Sequence, residues 1–417
     1  MISSHLWLPY SQMQTVSASR MVTRTEGVHI YLDDGRRLVD GTSSWWTACH
    51  GYNHPHIAAA VVAQLETLPH VMLGGLVHEP VLTLSHRLAS LLPGDLDHVF
   101  FSESGSVSVE IALKMAVQYW INAGIAGRTR FLSFENAYHG DTFAAMSVCD
   151  PEKGMHRMLR GVLAEQLVVE LPSSADDFGE FERIVEQHAG ELAALIIEPL
   201  VQAAAGMKFH ELETLARISE IAARHDLLVI FDEITTGFGR TGTMFACEQA
   251  GVVPDIMTLS KALTGGTLPL AVTVARSHVY ERFLSDSMGQ ALVHGPTFCG
   301  NPLGCAAANA SLDLFESEPR LEQVAAIEAR LDNGLAPCRD LPHVADVRVK
   351  GAIGVVQLDR VPDLAAMRQR FVEEGIWARP FEDVVYLMPP LVIGPEDLDT
   401  LIDAVVRVVA DWSKSPP

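Results

Sequence analysis

Two short apolar runs, Leu195-Ile196-Ile197-Glu198-Pro199 and Leu227-Leu228-Val229-Ile230-Phe231-Asp232-Glu233, each end in acidic residues. Between them, Leu215, Ile218, Ile221 and Ala222 recur at the three-to-four spacing that lays one apolar stripe along a helix over 212–225. A third run, Ile256-Met257-Thr258-Leu259, stops just before Ser260-Lys261. Strand, helix and strand in this order predict a parallel sheet joined by right-handed crossovers. Such sheets collect their ligands at the carboxyl ends of the strands. Asp232 and Lys261 fall at those ends, on two strands expected to be neighbours.

The rest of the chain gives this sheet its setting. Of the 417 residues, 48% are hydrophobic, enough for a sizeable buried core and for more than one domain-sized unit. A formal charge of −22 repels phosphate backbones, so neither nucleic acid nor an anionic membrane surface is expected as a partner. Residues 1–7 lack a basic start followed by an apolar run, and no run approaches the roughly 20 residues of a membrane span. Six scattered cysteines without a Cys-x-x-Cys pair read as reduced thiols, and a cytoplasmic location is expected. Histidines 50, 54 and 56 invite a metal, but they lack paired ligand spacing and Pro55 interrupts any helical face, so none is expected. From about Asn301 the pattern changes to a long helix over 302–318, strands near 345–349 and 353–358, a helix over 364–374 and a last helix from Pro395. This predicts a smaller α+β unit. The expected division is 1–50 as a segment joining that unit, 51–300 as the large domain and 301–417 as the small one.

A buried lysine can form a Schiff base with an aldehyde cofactor, and a carboxylate can keep a pyridine nitrogen protonated. Alone, a strand-end Asp and Lys would more often be a structural ion pair. Their surroundings say more. Phe231-Asp232-Glu233-Ile234-Thr235-Thr236-Gly237-Phe238-Gly239-Arg240-Thr241-Gly242 and Ser260-Lys261-Ala262-Leu263-Thr264-Gly265-Gly266 resemble the class III (subgroup II) aminotransferases of PLP fold type I. The resemblance implies an α/β fold, with a large domain built on a mainly parallel seven-stranded sheet flanked by helices, plus the smaller α+β domain. It also implies pyridoxal 5′-phosphate held by Lys261, with Asp232 at its ring nitrogen.

Other positions follow from the same likeness. Ser104-Gly105-Ser106-Val107 opens a predicted helix carrying Ile111, Met115 and Tyr119 on one face. Free N–H groups at a helix start suit a phosphate, although Ser106 read by itself is an N-cap. The resemblance assigns the cofactor phosphate to Gly105 and Ser106. It has Tyr138, in Asn136-Ala137-Tyr138-His139-Gly140-Asp141, stack on the cofactor ring, and Asp141 support the surroundings of Asp232. In the loop His294-Gly295-Pro296-Thr297, Gly295, Pro296 and Thr297 are carried over as residues reaching across a homodimer interface.

Substrate residues are also carried over. Ser43-Ser44-Trp45-Trp46, Met146-Ser147-Val148-Cys149-Asp150-Pro151 and Tyr386-Leu387-Met388-Pro389-Pro390 resemble the biotin-biosynthesis branch of the family. That branch passes an amino group from S-adenosylmethionine, or in some relatives lysine, to 8-amino-7-oxononanoate. Tyr10, Trp45 and Arg379 then line the substrate site with Tyr386 nearby, and Arg379 takes the substrate carboxylate. Thr235 stands where the ornithine and 4-aminobutyrate branch usually has glutamine. Alternatives are a class III transaminase acting on other amines, an aminomutase, or a non-catalytic relative, which would be expected to lack the lysine or the aspartate. Ala203, Ala205 and Ser260 replace glycines common in the family, and their extra carbons are expected to tighten the local turns.

Overall fold

The computed structural model describes residues 5–16, 19–361 and 363–414; residues 1–4, where the amino-terminal reading begins, and the other short stretches lie outside the described residues. The chain opens on β1 (Val22–Glu26), β2 (His29–Leu32) and β3 (Arg37–Asp40). It continues through β4 (Leu96–Ser102), β5 (Arg130–Phe134), β6 (Leu167–Val169) and β7 (Leu192–Ile197), then the two-residue strands β8 (Val201–Gln202) and β9 (Lys208–Phe209). After β10 (Leu228–Asp232), β11 (Ile256–Leu259) and β12 (Ala271–Arg276) come β13 (Val344–Lys350), β14 (Ile353–Leu358), β15 (Ile376–Trp377) and β16 (Val384–Leu387).

Seven strands form the main sheet in the order β4-β12-β11-β10-β7-β5-β6. It is parallel except at β12, which runs against both β11 and β4. Every residue of β7 and β10 is buried, which explains why both runs are apolar without alternation: helices cover both faces. Each fully buried Leu or Ile in them contributes about 1.5–3 kcal/mol. The helix Leu212–Arg224 turns Leu215, Ile218 and Ile221 inward, as its spacing requires, and returns the chain to β10 beside β7. The helix Gly105–Asn122 packs across β7, β11 and β12. Asp232 and Lys261 thus leave adjacent parallel strands at the same end.

Two smaller sheets complete the fold. The amino-terminal strands form β1-β2-β3-β15, with β15 parallel to β3, so residues 22–40 join a strand from 376–377. The second sheet is antiparallel, β13-β14-β16, with the helix Arg320–Leu335 packed beside it, and the helix Pro395–Ser413 lies against that helix and against β3 and β15. The helix Pro302–Ser317 is capped by the Asn301 side chain, which accepts from the N–H groups of Leu303 and Gly304, and it packs on the helices Pro55–Thr67 and Glu79–Leu91. Among the described residues no helix is long and apolar enough to cross a membrane.

Candidate active site

Lys261 starts a short 3₁₀ turn just beyond β11. Its Nζ donates to Thr235 Oγ1 at 2.7 Å and lies 4.6 Å from the centroid of the Trp46 ring. No carboxylate comes within ion-pairing distance among the described residues. Burial pushes the ammonium down to about 8, against the opposing pull of Asp232, Glu198 and Asp141. Such an amine is a ready nucleophile and base near neutral pH.

Asp232, the last residue of β10, is 4% exposed, and both its oxygens are hydrogen-bonded. Its Oδ1 accepts from the Ile234 N–H at 3.1 Å and the Thr258 hydroxyl at 3.3 Å, and its Oδ2 from His139 Nδ1 at 2.8 Å. The support expected from Asp141 is supplied by His139 instead. Asp141 faces outward and gathers two phenols: it accepts from the Tyr138 hydroxyl at 2.9 Å and from Tyr10, whose own oxygen lies 3.1 Å from that of Tyr138. Burial comes first among the causes that raise both tyrosines, Tyr10 to about 12, so both stay protonated.

Glu198 lies just beyond β7, at the acidic end of the run Leu195–Pro199, and its position in the run carries no sign of its partners. It is 4% exposed, accepts from the backbone N–H of Tyr138 at 3.1 Å and of Ala203 at 3.0 Å, and is pushed up to about 7 by burial. It thereby ties the Tyr138 loop to the chain that follows β7. His139 and Trp46 join the site beside their expected neighbours Tyr138 and Trp45, and adjacency in the sequence is the one signal that points to them.

At the phosphate position the cap is Ser104, whose Oγ accepts from the Val107 N–H, so Ser106 is the second residue of the helix Gly105–Asn122 and not its N-cap. Among the described residues the N–H groups of Gly105 and Ser106 have no hydrogen-bond partner, at the positive end of an 18-residue helix. Ser106 Oγ accepts from the Asp141 N–H at 3.0 Å, and Gly140 makes that approach possible: a Cβ there would stand 2.4 Å from Ser106 Oγ. Glu110 accepts from the N–H groups of Ala144 and Ala145, capping the next helix.

The aromatic residues form a second cluster. Tyr10 meets Trp45 edge-on at 6.0 Å, the Arg379 guanidinium lies 4.7 Å over the Trp45 ring, and Tyr386 packs against Trp46 at 6.1 Å. Tyr10 is 51% exposed and Trp45 41%, so this cluster opens to solvent at one side. Arg379 has no ion pair or side-chain hydrogen bond among the described residues. The tryptophans sit on an unusual turn: Ser43, Ser44, Trp45 and Trp46 have φ of 47°, 51°, 62° and 73°. A left-handed turn of L-residues costs roughly 1–2 kcal/mol per residue, so neighbouring groups must hold it.

Gly295, Pro296 and Thr297 are not brought into either cluster within this chain. Gly295 and Thr297 lie exposed on a loop near His294, which meets Lys114 at 3.0 Å. Ala203, Ala205 and Ser260 all lie outside the left-handed region, so none of the replaced glycines sits at a positive φ. Histidines 50, 54 and 56 go separate ways, His50 to Ser311 and Arg320 and His56 to Asp313.

The arrangement offers a carboxylate suited to a protonated ring nitrogen, an amine suited to a carbonyl, and helix N–H groups suited to a phosphate. A planar pyridine aldehyde phosphate therefore has a counterpart for each of its polar ends. Comparison with known proteins agrees. The model of the family Aminotransferase class-III matches residues 10–409. A protein of Corynebacterium glutamicum named adenosylmethionine-8-amino-7-oxononanoate aminotransferase is 44% identical over 97% of this chain and 96% of its own. The crystal structure of the adenosylmethionine-8-amino-7-oxononanoate aminotransferase of Methanocaldococcus jannaschii superposes with a TM-score of 0.91 at 33% identity, over 98% of this chain and 97% of that one. An omega transaminase of Pseudomonas jessenii, solved in complex with PMP, gives 0.90 at 27% identity over 98% and 97%. Strand-end lysine and aspartate, helix-start phosphate position and near full-length similarity converge, and the chain belongs to the class III aminotransferases.

Proposed function

We propose that this protein transfers an amino group from S-adenosylmethionine to 8-amino-7-oxononanoate, giving 7,8-diaminononanoate for biotin synthesis, with pyridoxal 5′-phosphate as cofactor. The observation that carries the substrate choice is the Arg379 guanidinium over Trp45, beside Tyr10 and without an ion pair among the described residues, in a chain similar over nearly its full length to proteins bearing that name. A planar cation with no protein carboxylate suits the carboxylate of the keto substrate.

When bound, the cofactor withdraws electrons from the substrate α-carbon. Lys261 would hold it through Nζ, Asp232 would keep its ring nitrogen protonated, Gly105 and Ser106 would take its phosphate, and Tyr138 would cover its ring. Lys261 Nζ, unprotonated in part near neutral pH, takes the α-proton and gives it back on the other side of the transfer. His139 fixes Asp232, and Glu198 fixes Tyr138 through its backbone. The protonated phenols of Tyr10 and Tyr138 and the ring of Trp45 wall the entrance against water.

The reading extends to assembly and location. Thr297 and its neighbours stand exposed and away from this chain's own cluster, which supports a homodimer in which they complete the partner's phosphate site. Residues 51–300 would carry the cofactor and 301–417 would form the small domain, with 1–50 joined to it through the β3–β15 pairing. Biosynthetic chemistry of this kind supports a cytoplasmic location.

The test is a half-reaction on cofactor-loaded protein. S-adenosylmethionine alone should bleach the absorbance of the bound cofactor, and 8-amino-7-oxononanoate should restore it. If lysine bleaches the band and S-adenosylmethionine does not, the donor is wrong. If neither does but simple ω-amines do, the protein is a transaminase of another specificity.

A further inference from the structure

Asp40 closes β3, is fully buried, and accepts three of its four hydrogen bonds from Thr42 and Ser44, at the start of the left-handed turn that bears the two tryptophans. Its Oδ1 accepts from the Thr42 N–H at 2.7 Å and the Thr42 hydroxyl at 2.9 Å. Its Oδ2 accepts from the Ser44 N–H at 2.9 Å and the Tyr52 hydroxyl at 2.6 Å. A carboxylate is the one side chain that can accept four such donors, because it has two oxygens and no hydrogen to misplace.

The same few residues stitch together three segments that line the aromatic cluster. Asp40 lies opposite Trp377 in the β3–β15 pairing, and the Gly41 N–H donates to the Trp377 carbonyl at 2.9 Å, two residues before Arg379. The Met388 N–H donates to the Gly41 carbonyl at 2.7 Å and the Ser43 hydroxyl to the Met388 carbonyl at 2.7 Å, two residues after Tyr386. From this knot Trp45 projects under Arg379, and Trp46 lies against both Tyr386 and Lys261 Nζ. No other polar side chain holds the turn at both Thr42 and Ser44 among the described residues.

We propose that Asp40 is a positioning residue for substrate recognition: its carboxylate holds the left-handed turn 43–46 and thereby sets Trp45 against Arg379 and Trp46 against Lys261. It touches neither substrate nor cofactor and acts only through the tryptophans. The inference rests on the aminotransferase reading for its kinetic readout, but the arrangement itself is testable without turnover.

The experiment compares wild type, Asp40→Asn, Ser44→Gly and Asp40→Asn/Ser44→Gly. The asparagine keeps the shape but presents an NH₂ group to donors that need an acceptor. Near-UV circular dichroism of the cofactor-free proteins should show a reduced tryptophan signal in Asp40→Asn. The KM for 8-amino-7-oxononanoate should rise about tenfold, with cofactor affinity changed less than twofold. Glycine at 44 adopts positive φ freely, so the double variant should recover most of both signals. A merely structural Asp40 would lower the melting temperature and leave KM, the tryptophan signal and the rescue unmoved, and that result overturns the proposal. If Asp40→Asn does not fold, Tyr52→Phe removes one donor and should raise KM about threefold; an unchanged KM there also overturns it. A wild type that no donor bleaches would instead sink the aminotransferase reading, while the dichroism would still decide the role of Asp40.

Discussion

His139 Nδ1 donates to Asp232 Oδ2 at 2.8 Å, and neither side chain has meaningful contact with solvent. A hydrogen bond to a buried carboxylate is worth about 1.5–3 kcal/mol, so the histidine has leverage over the group that would face the cofactor nitrogen. Asp232→Ala should lower kcat by roughly 10²–10³, the size of losing one preorganised electrostatic partner. His139→Phe should cost about tenfold and alter the pH dependence of the cofactor spectrum. A His139→Phe protein with wild-type kcat and spectrum would show that the contact is only structural.

Lys261 titrates near 8 in the folded protein, below its ordinary value of 10.5. Between those values the unfolded chain holds a proton that the folded one has released, so this group makes the cofactor-free protein more stable as pH rises. The expected gain, taken as wild type minus Lys261→Met, is about 3 kcal/mol from pH 8 to pH 10.5. Urea melts at the two pH values measure it, and a flat difference would place the ammonium in a wetter setting. Lys261→Ala should abolish both half-reactions.

Glu198 has the opposite sign. Its carboxyl titrates near 7 against an ordinary 4.5, so the folded protein binds the extra proton and loses stability as pH rises through that window. The loss should be about 3 kcal/mol between pH 4.5 and pH 7 and absent in Glu198→Gln. Equal slopes in the two proteins would remove Glu198 from this role. Because Gln can satisfy only one of the N–H groups of Tyr138 and Ala203, the variant should also bind the cofactor less tightly.

Arg379 over Trp45 predicts coupled effects on substrate. Arg379→Ala should raise the KM for the keto substrate about 10- to 100-fold with little change in cofactor binding. Trp45→Ala should share part of that loss, so the double variant falls short of the sum by about 0.5–2 kcal/mol. Strict additivity would mean that the ring does not orient the guanidinium.

The exposed Thr297 is expected to act in the partner's site. Lys261→Ala and Thr297→Asp proteins should each be inactive as homodimers. Mixed and reassociated in equal amounts, they should regain about a quarter of wild-type activity, because half the dimers then hold one intact site. No recovery from a verified heterodimer would place Thr297 in its own chain's site, and an active Thr297→Asp homodimer would place it outside any site.

Much of this was legible in the sequence because it is local. Apolar runs without alternation marked β7 and β10 as strands covered on both faces, the 3.6 spacing marked the crossover helix, and the residues ending those runs had to emerge at one edge of the sheet. The placement of Asp232 and Lys261 on neighbouring strands followed from connectivity alone. What periodicity does not encode is which polar group meets which across the fold. His139 reaches Asp232 over 93 positions, Glu198 reaches the Tyr138 backbone over 60, and Asp141 turns to Tyr10 and away from Asp232. The left-handed turn at 43–46 leaves no composition signal either, since neither serine nor tryptophan favours positive φ, and Asp40 and the carbonyl of Met388 impose it from outside. The alanines at 203 and 205 make the complementary point: whether a position needs glycine depends on its φ, and the tertiary packing, through the bonds that Glu198 and its neighbours make, sets that angle. The strand ends and the adjacency of β10 and β11 were therefore written in the sequence, while the partners that tune the charges at those ends were chosen by packing, where a buried polar group must find whatever acceptor or donor the fold brings within 3 Å.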